Sequence, residues 1–67
     1  MGLTLKAARV NKNLSQKQAA HEIGVSVDTL SNYERGISFP DVPRIKRIEE
    51  VYGVPYSELI FLPQNNG

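Results

Sequence analysis

Residues 15–36, SQKQAAHEIGVSVDTLSNYERG, decide the fold because they predict two short helices joined by a tight turn. Ser15 followed by Gln18 is the capping-box pattern that begins many helices. Apolar residues then recur at helical spacing in a narrow stripe formed by Ala19, Ala20 and Ile23. Gly24 stands where this helix must end, since glycine readily takes the left-handed conformation that closes a helix.

The second helix of the pair begins after a capping residue, Ser26, and ends at Gly36. Leu30 and Tyr33 lie three residues apart and predict its inner face. The connection from Gly24 to Ser26 has about three residues, which is typical of a helix-turn-helix. Both helices are too short to be stable alone, so the rest of the chain must hold them.

The remaining segments predict an all-α domain of five helices with the helix-turn-helix at its centre. Thr4 caps a first helix, Asp41 caps a fourth, and Pro55 starts a short fifth helix. These segments offer further apolar residues to the core, namely Leu5, Ala8, Ile37, Phe39, Val42, Ile45, Ile48, Val51, Tyr52 and Val54. We assign residues 1–62 to the domain and expect residues 63–67 to form a flexible tail.

Composition allows one small domain and excludes several classes. The chain has 67 residues, 40% of them hydrophobic, and no cysteine, so a helical core must stabilise it without disulfides or thiolate metal sites. Residues 1–36 carry five basic and three acidic groups, and residues 37–67 carry three and four. This asymmetry is too mild to indicate nucleic-acid binding by itself. Neither a membrane-spanning run nor a signal-peptide pattern is present, so we expect a cytoplasmic protein.

Several short motifs are shared with a known family. The most specific are LSQ at 14–16, AAHEIGVS at 19–26, YERG at 33–36 with Pro40, and GVPYSEL at 53–59. With these motifs, residues 3–60 resemble the phage-repressor and Cro-type helix-turn-helix family, also called xenobiotic-response-element-like. The resemblance implies five helices, a homodimer on a palindromic double-stranded DNA operator, and transcriptional regulation, most often repression.

The resemblance also implies which residues face DNA. The third helix matches the recognition helix of the major groove, and Gln16 matches a glutamine that contacts a phosphate and steadies that helix. Arg9 and Glu34 match a buried ion pair. The base-reading positions fall on Val27, Asp28 and Asn32. The full set of DNA-binding candidates is Gln16, Lys17, Ser26, Val27, Asp28, Thr29, Ser31, Asn32 and Arg35.

Side-chain chemistry supports these roles and leaves plainer alternatives open. Asn32 can pair bidentately with adenine, Asp28 can accept a hydrogen bond from cytosine N4, and Val27 can touch a thymine methyl. The alternative for each is an exposed residue on a helix surface, and Asp28 can instead stabilise the helix amino end while repelling phosphate. Lys17 and Arg35 offer salt-sensitive attraction to the DNA backbone, or are ordinary solvated charges.

The chain departs from the family pattern at four positions. Ala19 stands where leucine is usual, Tyr33 where an aliphatic residue is commoner, and Glu49 where a small residue is usual. Pro55 stands where the family has a capping serine. The base-reading positions carry no arginine, lysine or glutamine.

We predict neither catalysis nor a bound metal or cofactor. His21 is a lone histidine on the outer face of the second helix, without the nucleophile, acid or further ligands that catalysis or metal binding needs. A glycine-rich phosphate loop and a paired-carboxylate cleft are also missing from the pattern.

Apolar residues near the end of the chain predict a homodimer surface in the region of the fourth and fifth helices and the apolar tail. They exceed what one small core can bury, and they are Tyr56, Ile60, Phe61 and Leu62. Two other interpretations remain open at this stage. One is an antitoxin-type protein that binds DNA and a toxin partner, and the other is a protein-interaction module on the same fold.

Overall fold

The computed structural model describes residues 2–61. Four α-helices form most of this part of the chain: α1 (Leu5–Asn11), α2 (Gln16–Ile23), α3 (Val27–Arg35) and α4 (Val42–Tyr52). A 3₁₀ turn (Tyr56–Glu58) and two short strands, β1 (Leu3–Thr4) and β2 (Leu59–Ile60), complete it. The all-α helix-turn-helix prediction is confirmed, whereas the predicted number of five helices is wrong.

Side-chain caps fix the beginning of each α-helix, as the sequence predicts. Thr4 Oγ1 accepts a hydrogen bond from Ala7 N at 3.1 Å, and Asp41 Oδ1 accepts one from Arg44 N at 3.1 Å. At α2 the capping box is complete, because Ser15 Oγ accepts from Gln18 N while Gln18 Oε1 accepts from Ser15 N. These bonds satisfy donors that a helix cannot satisfy internally, so the helix starts are encoded locally.

The turn between α2 and α3 depends on a left-handed residue. Gly24 has a φ of 91°, and its N–H donates to the carbonyl of Ala20 at 2.8 Å. A Cβ added to Gly24 would meet no atom within 4 Å, so only the backbone conformation requires glycine there.

Replacing Gly24 with alanine is therefore expected to lower the free energy of unfolding by about 1–2 kcal/mol, the cost of a left-handed alanine. Chemical denaturation followed by circular dichroism measures the loss. Gly24→Asn is the control, because asparagine tolerates this conformation better than alanine does. A loss at Gly24→Ala no larger than at Gly24→Asn would contradict the explanation.

The predicted fifth helix is replaced by the 3₁₀ turn and by a strand. β2 pairs in parallel with β1, with Leu3 opposite Leu59 and Thr4 opposite Ile60. Strands of two residues are too short to show an alternation of apolar and polar residues. The pairing also joins the two ends of the described chain, so no local sequence pattern predicts it. At the 3₁₀ turn, Glu49 Oε2 accepts from Tyr56 N at 2.6 Å, which supplies the cap that Pro55 lacks.

The core lies between the four helices and the strand pair. Its buried hydrophobic residues are Leu5, Ala8, Ala19, Ala20, Ile23, Leu30, Tyr33, Ile48, Tyr52 and Leu59. Three predicted core residues are exposed instead: Ile37, Phe39 and Val42, with exposed fractions of 45%, 57% and 64%. They lie in the α3–α4 connection and at the first position of α4, where Phe39 contacts the ring of Phe61 rather than the core.

Val51 and Val54 are half-buried and pack against the core. Ile45, another predicted core residue, is half-buried but lines a surface groove instead. Within residues 2–61, no helix is long and apolar enough to cross a membrane. The predicted tail of residues 63–67, and Leu62 of the predicted dimer surface, lie outside the described residues.

Candidate nucleic-acid interface

The outer face of α3 carries most of the predicted DNA-binding residues. Leu30 and Tyr33 are buried and set the inner face. Helical periodicity then places Asp28, Asn32 and Arg35 in one outward row. A neighbouring row contains Val27, with 40% of its surface exposed, and half-buried Ser31. The structure thus brings these five candidates together on one side of a single helix.

Ser26 and Thr29 hold the beginning of α3 in place. Ser26 Oγ accepts from Thr29 N at 3.0 Å and donates to Thr29 Oγ1 at 2.8 Å. Both hydroxyls therefore have partners within the chain, and these bonds fix the amino end of α3. The acidic Asp28 follows in the first turn, where a carboxylate interacts favourably with the helix dipole.

Arg9 and Glu34 form a buried ion pair that ties α1 to the end of α3. Arg9 Nε lies 2.7 Å from Glu34 Oε2, and the two side chains are 10% and 5% exposed. Arg9 Nη1 also donates to the carbonyl of Leu14 at 2.9 Å, so the guanidinium binds the α1–α2 connection as well. This arrangement fixes α3 against both preceding segments.

Gln16 belongs to the same network, and the sequence did not indicate this contact. Its Nε2 donates to Glu34 Oε1 at 3.0 Å, which brings the amino end of α2 beside the carboxyl end of α3. Gln16 and Glu34 are 18 residues apart, so helical spacing gives no sign of the contact. Gln16 remains half-buried, at the border between this network and solvent.

Lys17 is exposed at the amino end of α2, and Arg35 is exposed at the carboxyl end of α3. The hydrogen bond between Gln16 and Glu34 brings these two helix ends together. Within residues 2–61 the ion pairs are Arg9–Glu34 and the exposed Arg47–Glu50. Lys17 and Arg35 take part in neither, so both cations can attract phosphates.

Tyr52 of α4 reaches the same buried network. Burial raises the pKa of Tyr52 from 10.0 to about 12, the Glu34 carboxylate adds to the rise, and Arg9 opposes it. Its hydroxyl has no hydrogen-bond partner among the described residues. The phenol is therefore held neutral beside the ion pair and is not part of the outward face of α3.

The raised pKa predicts a loss of stability in alkali. The pKa of Tyr52 is higher in the folded than in the unfolded protein, so the contribution of its neutral phenol to the free energy of unfolding is complete below pH 10. This contribution disappears as the pH rises towards about 12. The free energy of unfolding should fall by about 2 kcal/mol over that interval. Urea denaturation at stepped pH measures it, with Tyr52→Phe as the control whose curve should be flatter. Parallel curves for the two proteins would contradict the prediction.

The remaining candidate ligands on residues 2–61 do not form a metal site. His21 is exposed on α2, as expected of a solvated histidine. Among the described residues, no group of three or more histidine, aspartate or glutamate side chains is placed to hold a metal ion.

A second surface, which we call the α4 groove, lies on α4 and its two flanking connections. It encloses about 640 Å³ and is lined by Phe39, Pro40, Asp41, Val42, Ile45, Lys46, Glu49 and Tyr56. Phe61 packs partly against the core beside the groove, with its ring centroid 4.6 Å from that of Phe39 and 5.7 Å from that of Tyr56. The groove thus combines apolar side chains with the charged residues Asp41, Lys46 and Glu49.

Together, the capped helix pair, the left-handed turn and the exposed polar face of α3 define a DNA-binding helix-turn-helix domain, a class that is not enzymatic. A sequence profile described as Helix-turn-helix matches residues 5–59. The chain belongs to this helix-turn-helix family, whose repressor-type members it resembles in sequence.

Curated relatives are transcription regulators of bacteria and phage. The chain is 32% identical to the cryptic phage CTXphi transcriptional repressor RstR of Vibrio cholerae over 62 residues, covering 92% of this chain and 56% of the relative. It is 33% identical to the HTH-type transcriptional regulator ImmR of Bacillus subtilis over 60 residues, covering 90% and 47%. The HTH-type transcriptional activator BcrR of Enterococcus faecalis is 34% identical over 56 residues, covering 84% and 28%.

The chain thus spans about half of the length of the first two relatives. No solved structure matches it.

Proposed function

We propose that the protein is a sequence-specific transcription regulator, most simply a repressor, that binds a palindromic operator in the cytoplasm as a homodimer. The observation that carries the proposal is the outward face of α3, which presents hydrogen-bonding and apolar groups beside Gln16 at the amino end of α2. The repressor RstR and the regulator ImmR, similar over nine-tenths of this chain, support the same assignment.

Three side chains on α3 read bases in this proposal. Asn32 pairs with adenine N6 and N7, Asp28 accepts from cytosine N4, and Val27 packs on a thymine methyl. Each good bidentate pair contributes about 1–3 kcal/mol of discrimination between bases. Ser31 lies in the same row as Val27, and in this proposal it faces the sugar–phosphate backbone.

Backbone contacts come from Gln16, Lys17 and Arg35. Replacing Lys17 with methionine should weaken all DNA binding and reduce the slope of log K against log salt by about 0.9, because one fewer counterion is released. Fluorescence anisotropy at four salt concentrations measures the slope. Lys6→Met is the matched control, because Lys6 is exposed on α1, outside the helix pair. Equal slopes for the two variants would exclude a phosphate contact at Lys17.

In this proposal a second copy of the chain packs against the α4 groove. Aromatic and aliphatic side chains fill its centre, while Asp41 and Glu49 lie in the same groove as Lys46. In a twofold dimer each surface faces itself, so a groove carrying both signs of charge can pair them across the axis. In the proposed dimer the two recognition helices enter the major groove about 34–36 Å apart, one turn of DNA.

The dimer is tested with Val42→Asp, which puts a charge into the groove at a side chain that is 64% exposed and outside the core. Sedimentation velocity should then show at least a tenfold weaker self-association. Val10→Asp is the control, because Val10 is also exposed, at 53%, but lies on α1 away from the groove. If both variants associate like the natural protein, the groove is not the dimer surface.

The decisive experiment for the function is selection of randomised DNA duplexes by the purified protein at low and physiological salt. Enrichment of inverted half-sites one helical turn apart is the expected result. The enriched bases then test the assignments of Val27, Asp28 and Asn32 individually. Retention of DNA without enrichment, lost as salt rises, would reduce the activity to backbone electrostatics and contradict the proposal.

A further inference from the structure

The first turn of α2 contains two glutamines whose amide groups are held in opposite orientations. Gln18 uses its oxygen, since Oε1 accepts from Ser15 N at 2.9 Å. Gln16 uses its nitrogen, since Nε2 donates to Glu34 Oε1 at 3.0 Å. An amide side chain offers two donors on its nitrogen and two acceptor lone pairs on its oxygen, so the partner decides which end is presented elsewhere.

Glu34 imposes the orientation of Gln16 because an ionised carboxylate can only accept hydrogen bonds. The carboxylate is itself fixed, with Arg9 Nε 2.7 Å from Oε2 and Arg9 Nη2 3.4 Å from Oε1. It is 5% exposed, so water cannot easily take the place of either partner. Glu34 Oε1 therefore remains directed at Gln16 and accepts a hydrogen bond from its NH₂ group, which fixes the orientation of the amide.

The selected orientation matters for DNA because a phosphate oxygen is also only an acceptor. The NH₂ group of Gln16 has two hydrogens, and Glu34 takes one of them. Across residues 2–61 the other hydrogen has no second partner, and Gln16 lies at the solvent border of the network. A reversed amide would present Oε1 to the phosphate, and two acceptors repel one another.

We propose that Glu34 is a positioning residue for DNA binding, which holds the Gln16 amide so that one N–H bonds the carboxylate and the other N–H is presented to a DNA phosphate. The inference rests on the proposed DNA-binding function and deepens it. Glu34 touches no DNA itself. It fixes which end of the Gln16 amide faces the DNA, and it also pairs with Arg9.

A double-mutant cycle separates positioning from folding. Gln16→Met should weaken operator binding about tenfold, the value of a hydrogen bond to a charged group, while Gln18→Met should change it less than twofold. Glu34→Gln should weaken binding severalfold in the natural background, because its amide permits either orientation of Gln16. In the Gln16→Met background the same change should have no further effect.

Affinities are compared per folded molecule, at a temperature where circular dichroism shows each variant folded. Two outcomes would overturn the proposal. An equal loss from Glu34→Gln in both backgrounds would mean that Glu34 acts through the fold and not through Gln16. Unchanged affinity in Gln16→Met would mean that Gln16 presents nothing to the phosphate.

A measurement on the natural protein keeps the proposal testable if Glu34→Gln does not fold. In the ¹⁵N spectrum, one Nε2 proton of Gln16 should exchange with water more slowly than those of Gln18, and the other should shift when operator is added. Equal exchange at the two glutamines would overturn the inference. The duplex selection is independent of this result. If an operator is enriched but the Gln16 signals do not shift when it is added, only the inference about Glu34 is contradicted. If no operator is enriched, the proposed function itself is contradicted.

Discussion

Replacing Arg9 with methionine is expected to lower the free energy of unfolding by about 3–5 kcal/mol. The change leaves the Glu34 carboxylate buried, 5% exposed, with only the neutral amide of Gln16 as a described partner. It also removes the donor to the Leu14 carbonyl, which lies 2.9 Å from Arg9 Nη1. A buried charge without a counterion is among the costliest changes that one substitution can make.

The matched control is Arg47→Met. Arg47 also bridges two elements, since Nε donates to the Glu22 carbonyl at 2.9 Å and Nη1 lies 3.1 Å from Glu50. Its side chain is 53% exposed, so water replaces the lost contacts and the expected loss is below about 1 kcal/mol. Urea denaturation of the two variants measures the difference directly. Similar losses would show that burial adds nothing to the Arg9 interaction.

A double replacement, Arg9→Met with Glu34→Leu, tests the physical reason. Burial of a carboxylate without its cation is the main cost of the single change, so removing the carboxylate as well should recover most of the lost stability. Failure to recover would assign the cost to packing of the arginine stem or to the Leu14 contact. Small domains have only about 5–15 kcal/mol of stability, so Arg9→Met should leave a detectable unfolded fraction at physiological temperature.

The features that sequence predicts well here are those governed by neighbouring residues. Ser15 with Gln18 closes a capping box, and Gly24 adopts the left-handed turn, because each requires only the chemistry of one helix end. The contact of Arg9 with Glu34 spans 25 residues, and family resemblance, not local pattern, indicated it.

The features that sequence does not predict depend on tertiary geometry. The pairing of Leu3 with Leu59 joins two segments from opposite ends of the chain, and it replaces a helix expected from local composition after Pro55. Phe39 and Val42 are hydrophobic, as core residues are. They are nevertheless exposed, because Ile48 and Tyr52 on α4 already close the core. Hydrophobicity indicates that such residues avoid water, but not whether the chain itself or a partner covers them.

The bond between Gln16 and Glu34 was unpredictable for the same reason, and it changes the interpretation of the site. Sequence divides the residues into a structural pair and a set of DNA contacts. In the structure, Glu34 links the two groups, because its carboxylate accepts from Arg9 and also from Gln16, one of the predicted DNA contacts. Positions that appear purely structural can therefore set the geometry of a binding residue.

The second large effect is expected at Leu30, on the inner face of α3. Leu30 is 0% exposed and is one of the largest fully buried side chains. Leu30→Ala removes buried surface and leaves a cavity, so the free energy of unfolding should fall by about 2–5 kcal/mol. Thermal and urea denaturation measure the loss, and DNA affinity per folded molecule should stay close to that of the natural protein.

Val27→Ala changes an exposed residue on the same helix, in contrast to the buried Leu30. Val27 is 40% exposed, so the change should alter stability by less than about 0.5 kcal/mol. If Val27 packs on a thymine methyl, the selected operator should lose its preference for thymine at one position of each half-site. The two variants thus separate the faces of α3, the inner face that holds the helix and the outer face that we propose reads DNA. A Val27→Ala protein that unfolds as readily as Leu30→Ala, or that selects an unchanged operator, would show that the outer face has been assigned incorrectly.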